Sequence, residues 1–211
     1  MTLRVSQLTD PTDRRFPQMY DIYAQSLPQR EQKKRAEIES LLARPDYLIL
    51  AFEEGGQVVS FAIVQQSPME PIALLEYMAT GSQSRNGGIG GHVFREVVRR
   101  AGNRTIIVEA DSEREGDAID LPLRIRRKTF YRRLGCRQLE GFGYILPLPG
   151  EGVPPLMDLL IYRDPTPDVI AADAVRHWLE AIYAEVYDRN RDDPRIDSML
   201  SSLQASMIPV R

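Results

Sequence analysis

Between Arg85 and Gly91 the chain reads Arg-Asn-Gly-Gly-Ile-Gly-Gly, a few residues after an apolar run and at the opening of a helical pattern. Glycines at such a junction let the backbone approach a ligand closely, and the unpaired N–H groups at the positive end of a helix favour an anion. Arg85 adds a fork of donors that matches phosphate oxygens. Upstream, Glu76 interrupts the apolar stretch Ala73-Leu74-Leu75-Glu76-Tyr77-Met78 and shares a face with Leu74 and Met78 by the period of two. A carboxylate buried there is expected to have a raised pKa, which suits a general base; an exposed or ion-paired strand glutamate is the alternative. Glu109 and Asp111 end the next strand, where they can bind a cationic amine or relay protons through water. His92 and His177 each stand without a surrounding metal-ligand cluster, so no metal is expected.

Two familiar phosphate sites do not fit the glycines. A nucleoside-triphosphate loop needs a Gly-Lys-Ser/Thr ending, which this segment lacks. A dinucleotide fold is closer, because Gly88-Ile89-Gly90 is G-x-G and Glu109 follows about 20 residues on. Its third glycine position is Val93, however, and three strands precede the unit, where a doubly wound fold would usually begin with it.

The elements that must hold these residues follow from periodicity. Residues 3–8 alternate as a half-buried strand does; Phe16–Ser26 has helical spacing, and a charge-rich helix is expected from about Arg30 to Ala43, ended by Pro45. Tyr47–Phe52 and Val58–Val64 flank Glu54-Gly55-Gly56 as a hairpin, and Ile72–Thr80 is another strand. An amphipathic helix to Ala101, a short strand at Thr105–Val108 and a helix over Leu121–Leu134 stopped by Gly135 come next. Two strands close the pattern, over Arg137–Leu146 and Leu156–Tyr162, separated by a loop with four prolines. The order is β-α-α-β-β-β-α-β-α-β-β, an α/β arrangement with a mixed sheet. Pro165-Thr166-Pro167 marks a boundary between a domain at 1–164 and a C-terminal helical extension at 165–211. In that extension Val175, Trp178, Leu179, Ile182 and Val186 line one helix face, which either packs on the main domain or serves as a homodimer contact or a lid; residues from Arg189 on read as loosely ordered.

Arg85-x-x-Gly88-x-Gly90 resembles the R/Q-x-x-G-x-G/A signature of the GNAT superfamily of acetyltransferases, and Phe130-Tyr131-Arg132-Arg133-Leu134-Gly135-Cys136 is similar to its F-Y-x-x-x-G-F element. The element order from residue 3 to about 163 fits as well, roughly three-quarters of the chain. The resemblance implies an acetyl-CoA-dependent N-acetyltransferase in which a primary amine attacks the thioester directly. It implies that main-chain N–H groups of Asn86, Gly87, Gly88, Gly90 and Gly91, with Arg85, hold the CoA pyrophosphate. Met78, Ala79 and Thr80 would pair with the pantetheine arm, donors near Met78 and Ala79 polarising the thioester carbonyl. Glu76 would then be the base, and Tyr131 the acid that protonates the departing thiolate. Two departures stand out: Arg124 and Arg127 occupy positions where many members carry asparagine and a small residue. The run Arg124-Ile125-Arg126-Arg127-Lys128 either touches anionic ligand groups or forms a solvated face. Cys136, in the usual aromatic place, reads as a small buried hydrophobe. A non-catalytic acyl-CoA-binding sensor or scaffold is the alternative function.

Composition sets wider limits. A formal net charge of −3 argues against wholesale nucleic-acid binding. A single cysteine allows no internal disulfide and fits a reducing cytoplasm, and no stretch approaches the roughly 20 apolar residues of a membrane span. The helical region from Phe16 to Ala43, which shapes the acceptor cleft in the family, mixes Arg30, Lys33, Lys34 and Arg35 with Glu31, Glu37 and Glu39 and indicates no particular amine.

Overall fold

The computed structural model describes residues 3–29, 32–85, 87–114, 119–147, 156–201, 203 and 206–211. Arg30, Glu31, Asn86 and most of the proline-bearing loop before residue 156 lie outside them. The chain divides into two compact units, Met1–Gln66 with Leu75–Gly102, and Ser67–Leu74 with Asn103–Arg211.

In the first unit, β1 (Arg4–Leu8), β2 (Tyr47–Glu54), β3 (Gln57–Gln66) and β4 (Ile72–Thr80) lie side by side in that order. The β2–β3 hairpin turns through Gly55 and Gly56, both at positive φ, as a tight connection requires. Helix α1 (Arg15–Ser26) buries Phe16, Met19 and Tyr23, and α2 (Arg35–Leu41) buries Ile38 and Leu41. These residues form one core with Ile49, Ala51, Phe61 and Ile63 of the hairpin. Helix α2 is shorter than its charge pattern suggests. It starts only after Lys34, whose backbone N–H donates to the Glu37 carboxylate at 2.5 Å, and Pro45 discourages helix at the residue before it.

Helix α3 (Ile89–Ala101) closes the unit, with Ile89, Val93, Phe94, Val97 and Ala101 buried. Near its end Glu96 accepts from Arg99 and Arg100, each at 2.7 Å, and these bonds pull its carboxyl from an ordinary 4.5 down to about 2. A depressed carboxyl stabilises the fold above its unfolded pKa, and that contribution disappears as pH falls through the folded value. Glu96→Gln should therefore cost about 1 kcal/mol at neutral pH. In urea titrations the difference from wild type should shrink between pH 4.5 and pH 2.

In the second unit β4 (its first three residues), β5 (Thr105–Asp111), β8 (Leu156–Tyr162) and β6 (Arg137–Gln138) are neighbours in that order, and β7 (Tyr144–Ile145) also pairs with β8. The β4–β5 pair is parallel and the β5–β8 pair antiparallel, so the strands make a mixed sheet. β5 runs on to Asp111 because β8 supplies partners as far as Asp111↔Met157. The single strand expected over Arg137–Leu146 is broken in two, since Gly141 takes φ +69° between β6 and β7.

Helix α4 (Leu121–Arg133) is followed, after β8, by β9 (Val169–Ala171), α5 (Ala172–Glu185), α6 (Pro194–Ser201) and β10 (Met207–Pro209). The expectation of loose order beyond Arg189 is overturned. β10 pairs antiparallel with β9, and Ile196, Met199, Ile208 and Val210 are buried beside Val175, Trp178, Leu179 and Ile182 of α5. These side chains share one core with Ile107, Leu159 and Ile161 of the sheet. The apolar face of α5 is thus covered inside its own unit.

Candidate functional site

In the first unit one continuous stretch, β4 through the turn into α3, carries the glycines and Glu76 together. The β4–β5 ladder covers only Ile72↔Thr105, Ala73↔Ile106 and Leu74↔Ile107. Among the described residues, β4 from Glu76 to Thr80 therefore has a strand partner on its β3 edge and none in the ladder beyond Leu74. Ser60 of β3, fully buried, donates its hydroxyl to the Ala79 carbonyl at 2.7 Å and lies 3.1 Å from Thr80 Oγ1. With its one proton spent on Ala79, Ser60 must accept from Thr80. Both residues are held from the β3 side. Sequence reading missed Ser60; a lone hydroxyl inside the apolar run Val58–Val64 was the available sign.

After β4 the chain makes a short 3₁₀ turn at Ser82–Ser84, and Arg85 Nε donates to the Thr80 carbonyl at 3.2 Å. Gly88 is the N-cap of α3 at φ +75°, and as a glycine it has no side chain with which to cap the helix. No acidic residue stands in the first turn. A helix of 13 residues thus begins with its positive dipole end at the glycines, where the Gly91 N–H donates to the Gly88 carbonyl at 3.2 Å. A Cβ built on Gly88 meets nothing within 4 Å, so glycine is required there by backbone conformation and the space beside it is open. Gly87 and Gly88 are exposed, and Gly90 and Gly91 half-buried, at this helix start. Asn86 lies outside the described residues. His92 is exposed on α3.

Glu76 is more elaborately held than an isolated carboxylate in an apolar strand. Its side chain is 3% exposed, Oε1 lies 2.8 Å from Lys33 Nζ, and Oε2 accepts from the Tyr47 hydroxyl at 3.1 Å. Glu76 is thus both buried, as its apolar strand suggests, and ion-paired. Lys33 is fixed at its root, because its backbone N–H donates to Tyr23 Oη at 2.6 Å. The Tyr23 ring meets Tyr77 edge-on at 5.1 Å, and burial pushes its phenol up to about 12. Tyr47 is pushed higher still, first by burial and then by the Glu76 charge, so it donates to the carboxylate as a neutral phenol. Arg44 stacks over the Tyr47 ring at 4.6 Å. Lys33, Tyr23 and Tyr47 were not singled out by sequence, since their meeting with Glu76 depends on how α1, β2 and β4 pack.

Glu109, Asp111 and Tyr131 belong to the second unit. Glu109 accepts from the Tyr144 and Tyr187 hydroxyls, both at 2.5 Å, which ties β5 to β7 and to the chain just beyond α5. Asp111 accepts from Arg127 Nη1 at 2.7 Å. Both carboxylates are engaged with side chains of their own unit. Arg124 bonds Asp120 at 2.9 Å and the Ser112 carbonyl at 3.2 Å. Lys128 contradicts the solvated-face reading of its charge run. It is 3% exposed and lies 2.9 Å from Asp158, itself 1% exposed and also bonded by Arg114 at 2.8 Å. Tyr131 is buried on α4 with its ring meeting Phe130 edge-on at 5.1 Å, and burial raises its phenol. A buried neutral phenol keeps its proton at physiological pH and can donate it.

Cys136 is 3% exposed, and burial pushes its thiol up to about 12. The native protein should therefore leave Ellman's reagent uncoloured at neutral pH, whereas the urea-unfolded chain should react promptly with one thiol. Immediate reaction of the native chain would contradict this burial. Among the described residues no group of three or more His, Cys, Asp or Glu is arranged to hold a metal ion, and no helix is long and apolar enough to cross a membrane.

The family model for the acetyltransferase (GNAT) family matches residues 16–121, half of the chain. No curated protein sequence matches significantly. Solved structures match in fold. A protein assigned to the GNAT family acetyltransferases from Bacteroides thetaiotaomicron aligns at TM-score 0.69 and 18% identity, over 87% of this chain and 98% of its own. The ribosomal-protein-S18-alanine N-acetyltransferase from Escherichia coli aligns at 0.57 and 17%, over 77% and 94%. A GNAT family acetyltransferase from Elizabethkingia anophelis with acetyl-CoA bound aligns at 0.50 and 14%, over 76% and 97%. The mixed sheet, the glycine turn opening α3 and the matched family model lead to one conclusion: the chain belongs to the GNAT acetyltransferase family and is an acyltransferase enzyme.

Proposed function

We propose that this enzyme transfers the acetyl group of acetyl-CoA to a primary amine by direct attack, without a covalent enzyme intermediate. The observation that carries the reading is the left-handed glycine start of α3 at Gly88, with no acidic residue in its first turn, directly downstream of a strand whose ladder with β5 ends at Leu74. Main-chain N–H groups of Gly87, Gly88, Gly90 and Gly91, with those of Asn86, would receive the pyrophosphate, and Arg85 would add charge. An extended pantetheine arm can pair with Met78, Ala79 and Thr80 as an added strand would. Donors near Met78 and Ala79 then polarise the thioester carbonyl, where the oxyanion develops.

Glu76 is the proposed base and Tyr131 the proposed acid. Ammonium acceptors must lose a proton before attack, and Glu76 has an ammonium seated on it in this structure. Glu109 and Asp111 are weaker candidates for acceptor binding, since both already hold hydrogen bonds. Calorimetry with CoA tests the cradle: binding should be measurable with wild type and about tenfold weaker with Gly88→Ala, which strains the αL cap. Thiol release over a panel of amines, with Tyr131→Phe as comparison, tests the chemistry. Binding without thiol release for any amine would contradict transfer, and no heat with CoA would overturn the cradle.

A further inference from the structure

Lysine is scarce in this chain: Lys33, Lys34 and Lys128 stand against 24 arginines. At a buried carboxylate an arginine would bond through two parallel N–H groups, which a lysine cannot do. What lysine offers instead is a proton it can lose, leaving a nucleophilic amine. Lys33 places that group 2.8 Å from Glu76, while Tyr23 Oη holds its backbone N–H at 2.6 Å. The side chain is thus anchored at one end and has four methylenes with which to swing. Glu76 and Met78 lie on one face of β4, about 7 Å apart along the strand, within the travel of such an arm.

We propose that Lys33 is itself an acetyl acceptor, modified within its own chain from bound acetyl-CoA; this rests on the reading of Glu76 and β4 given above. Glu76 takes one proton from the Lys33 ammonium. The freed Nζ lone pair attacks the thioester carbonyl carbon, the N–C bond forms and the C–S bond breaks. The nitrogen's second proton passes to the departing thiolate, and Glu76 returns its own to water. The products are N-acetyl-lysine, CoA thiol and one released proton. The neutral amide no longer forms an ion pair with Glu76, so the modification removes the cation that occupies the proposed base.

The test is incubation of the full chain with isotopically labelled acetyl-CoA, followed by intact mass and peptide mapping. With so few lysines, Lys34 serves as an internal reference for uncatalysed acetylation. Lys33 should gain label about 100-fold faster than Lys34, the range a positioned base supplies. The rate per molecule should not depend on protein concentration, and Glu76→Gln should bring it down to the Lys34 level. Lys33→Arg should abolish the modification, and Lys34→Arg should leave it unchanged. If Lys33 is labelled no faster than Lys34 in protein whose melting temperature rises with acetyl-CoA, the proposal fails while the cofactor reading stands. An absent melting shift would overturn that reading instead. A rate that grows with protein concentration would overturn the intramolecular route. The Lys33-to-Lys34 comparison is made in wild type, so it holds even where the Glu76 variant does not fold.

Discussion

Glu76→Gln should lower kcat/KM for amine acetylation by about 100-fold or more at neutral pH, the usual contribution of a positioned base. Glutamine keeps the shape and an oxygen for the Tyr47 hydroxyl, but it cannot accept a proton from an ammonium. The variant must therefore wait for amine that is already free, about one molecule in a thousand for an alkylamine near pH 7.5. Its rate should climb roughly tenfold for each pH unit up to the amine's own pKa near 10.4, and the gap from wild type should narrow over that interval. Parallel pH–rate profiles for the two proteins would eliminate Glu76 as the base. Loss of the carboxylate also leaves the Lys33 ammonium without its 2.8 Å partner. The kinetics should accordingly be run well below the variant's measured melting temperature.

Asp158→Asn should destabilise the second unit by about 3 kcal/mol, the lower end of the cost of breaking a buried ion pair, because Lys128 would keep the more distant Glu113 carboxylate at 3.8 Å. Asp158 and Lys128 are both almost wholly enclosed, and Arg114 adds a second cation to the same carboxylate. Asparagine preserves volume, so the loss would be electrostatic and not a cavity effect. Lys128→Met alone should cost less, because Arg114 still pairs with Asp158, and the double variant should recover much of the loss. Urea titration followed by tryptophan fluorescence is suitable, since Trp178 lies in this unit's core. A change under 1 kcal/mol for Asp158→Asn would show that the pair contributes little.

Local pattern made much of the fold readable. The β4 strand over Ile72–Thr80 and the β8 strand over Leu156–Tyr162 appear with the bounds that their apolar runs suggest. Helix α3 was legible because its glycines and its buried stripe are both local. What could not be read were contacts fixed by tertiary packing. Glu76 looked solitary because its partners Lys33 and Tyr47 are 43 and 29 residues away in sequence. Lys128 looked solvated because its run is basic, whereas Asp158, 30 residues on, draws it inward. The tail misled for another reason. Its apolar residues Ile196, Met199, Ile208 and Val210 are too widely spaced for a strong periodic pattern, and they become core only against a sheet that sequence does not display.

That tail bears on how the protein should be handled at the bench. Arg211 and Gln138 exchange backbone hydrogen bonds, and Val210 donates to the Asp168 carbonyl, so the final residues are woven into structure. A purification handle fused after Arg211 would start at a hydrogen-bonded backbone and needs a flexible spacer to keep Ile208 and Val210 seated. Cutting the chain back to Tyr162 would strip cover from Ile107, Leu159 and Ile161, and insoluble expression should be the first symptom.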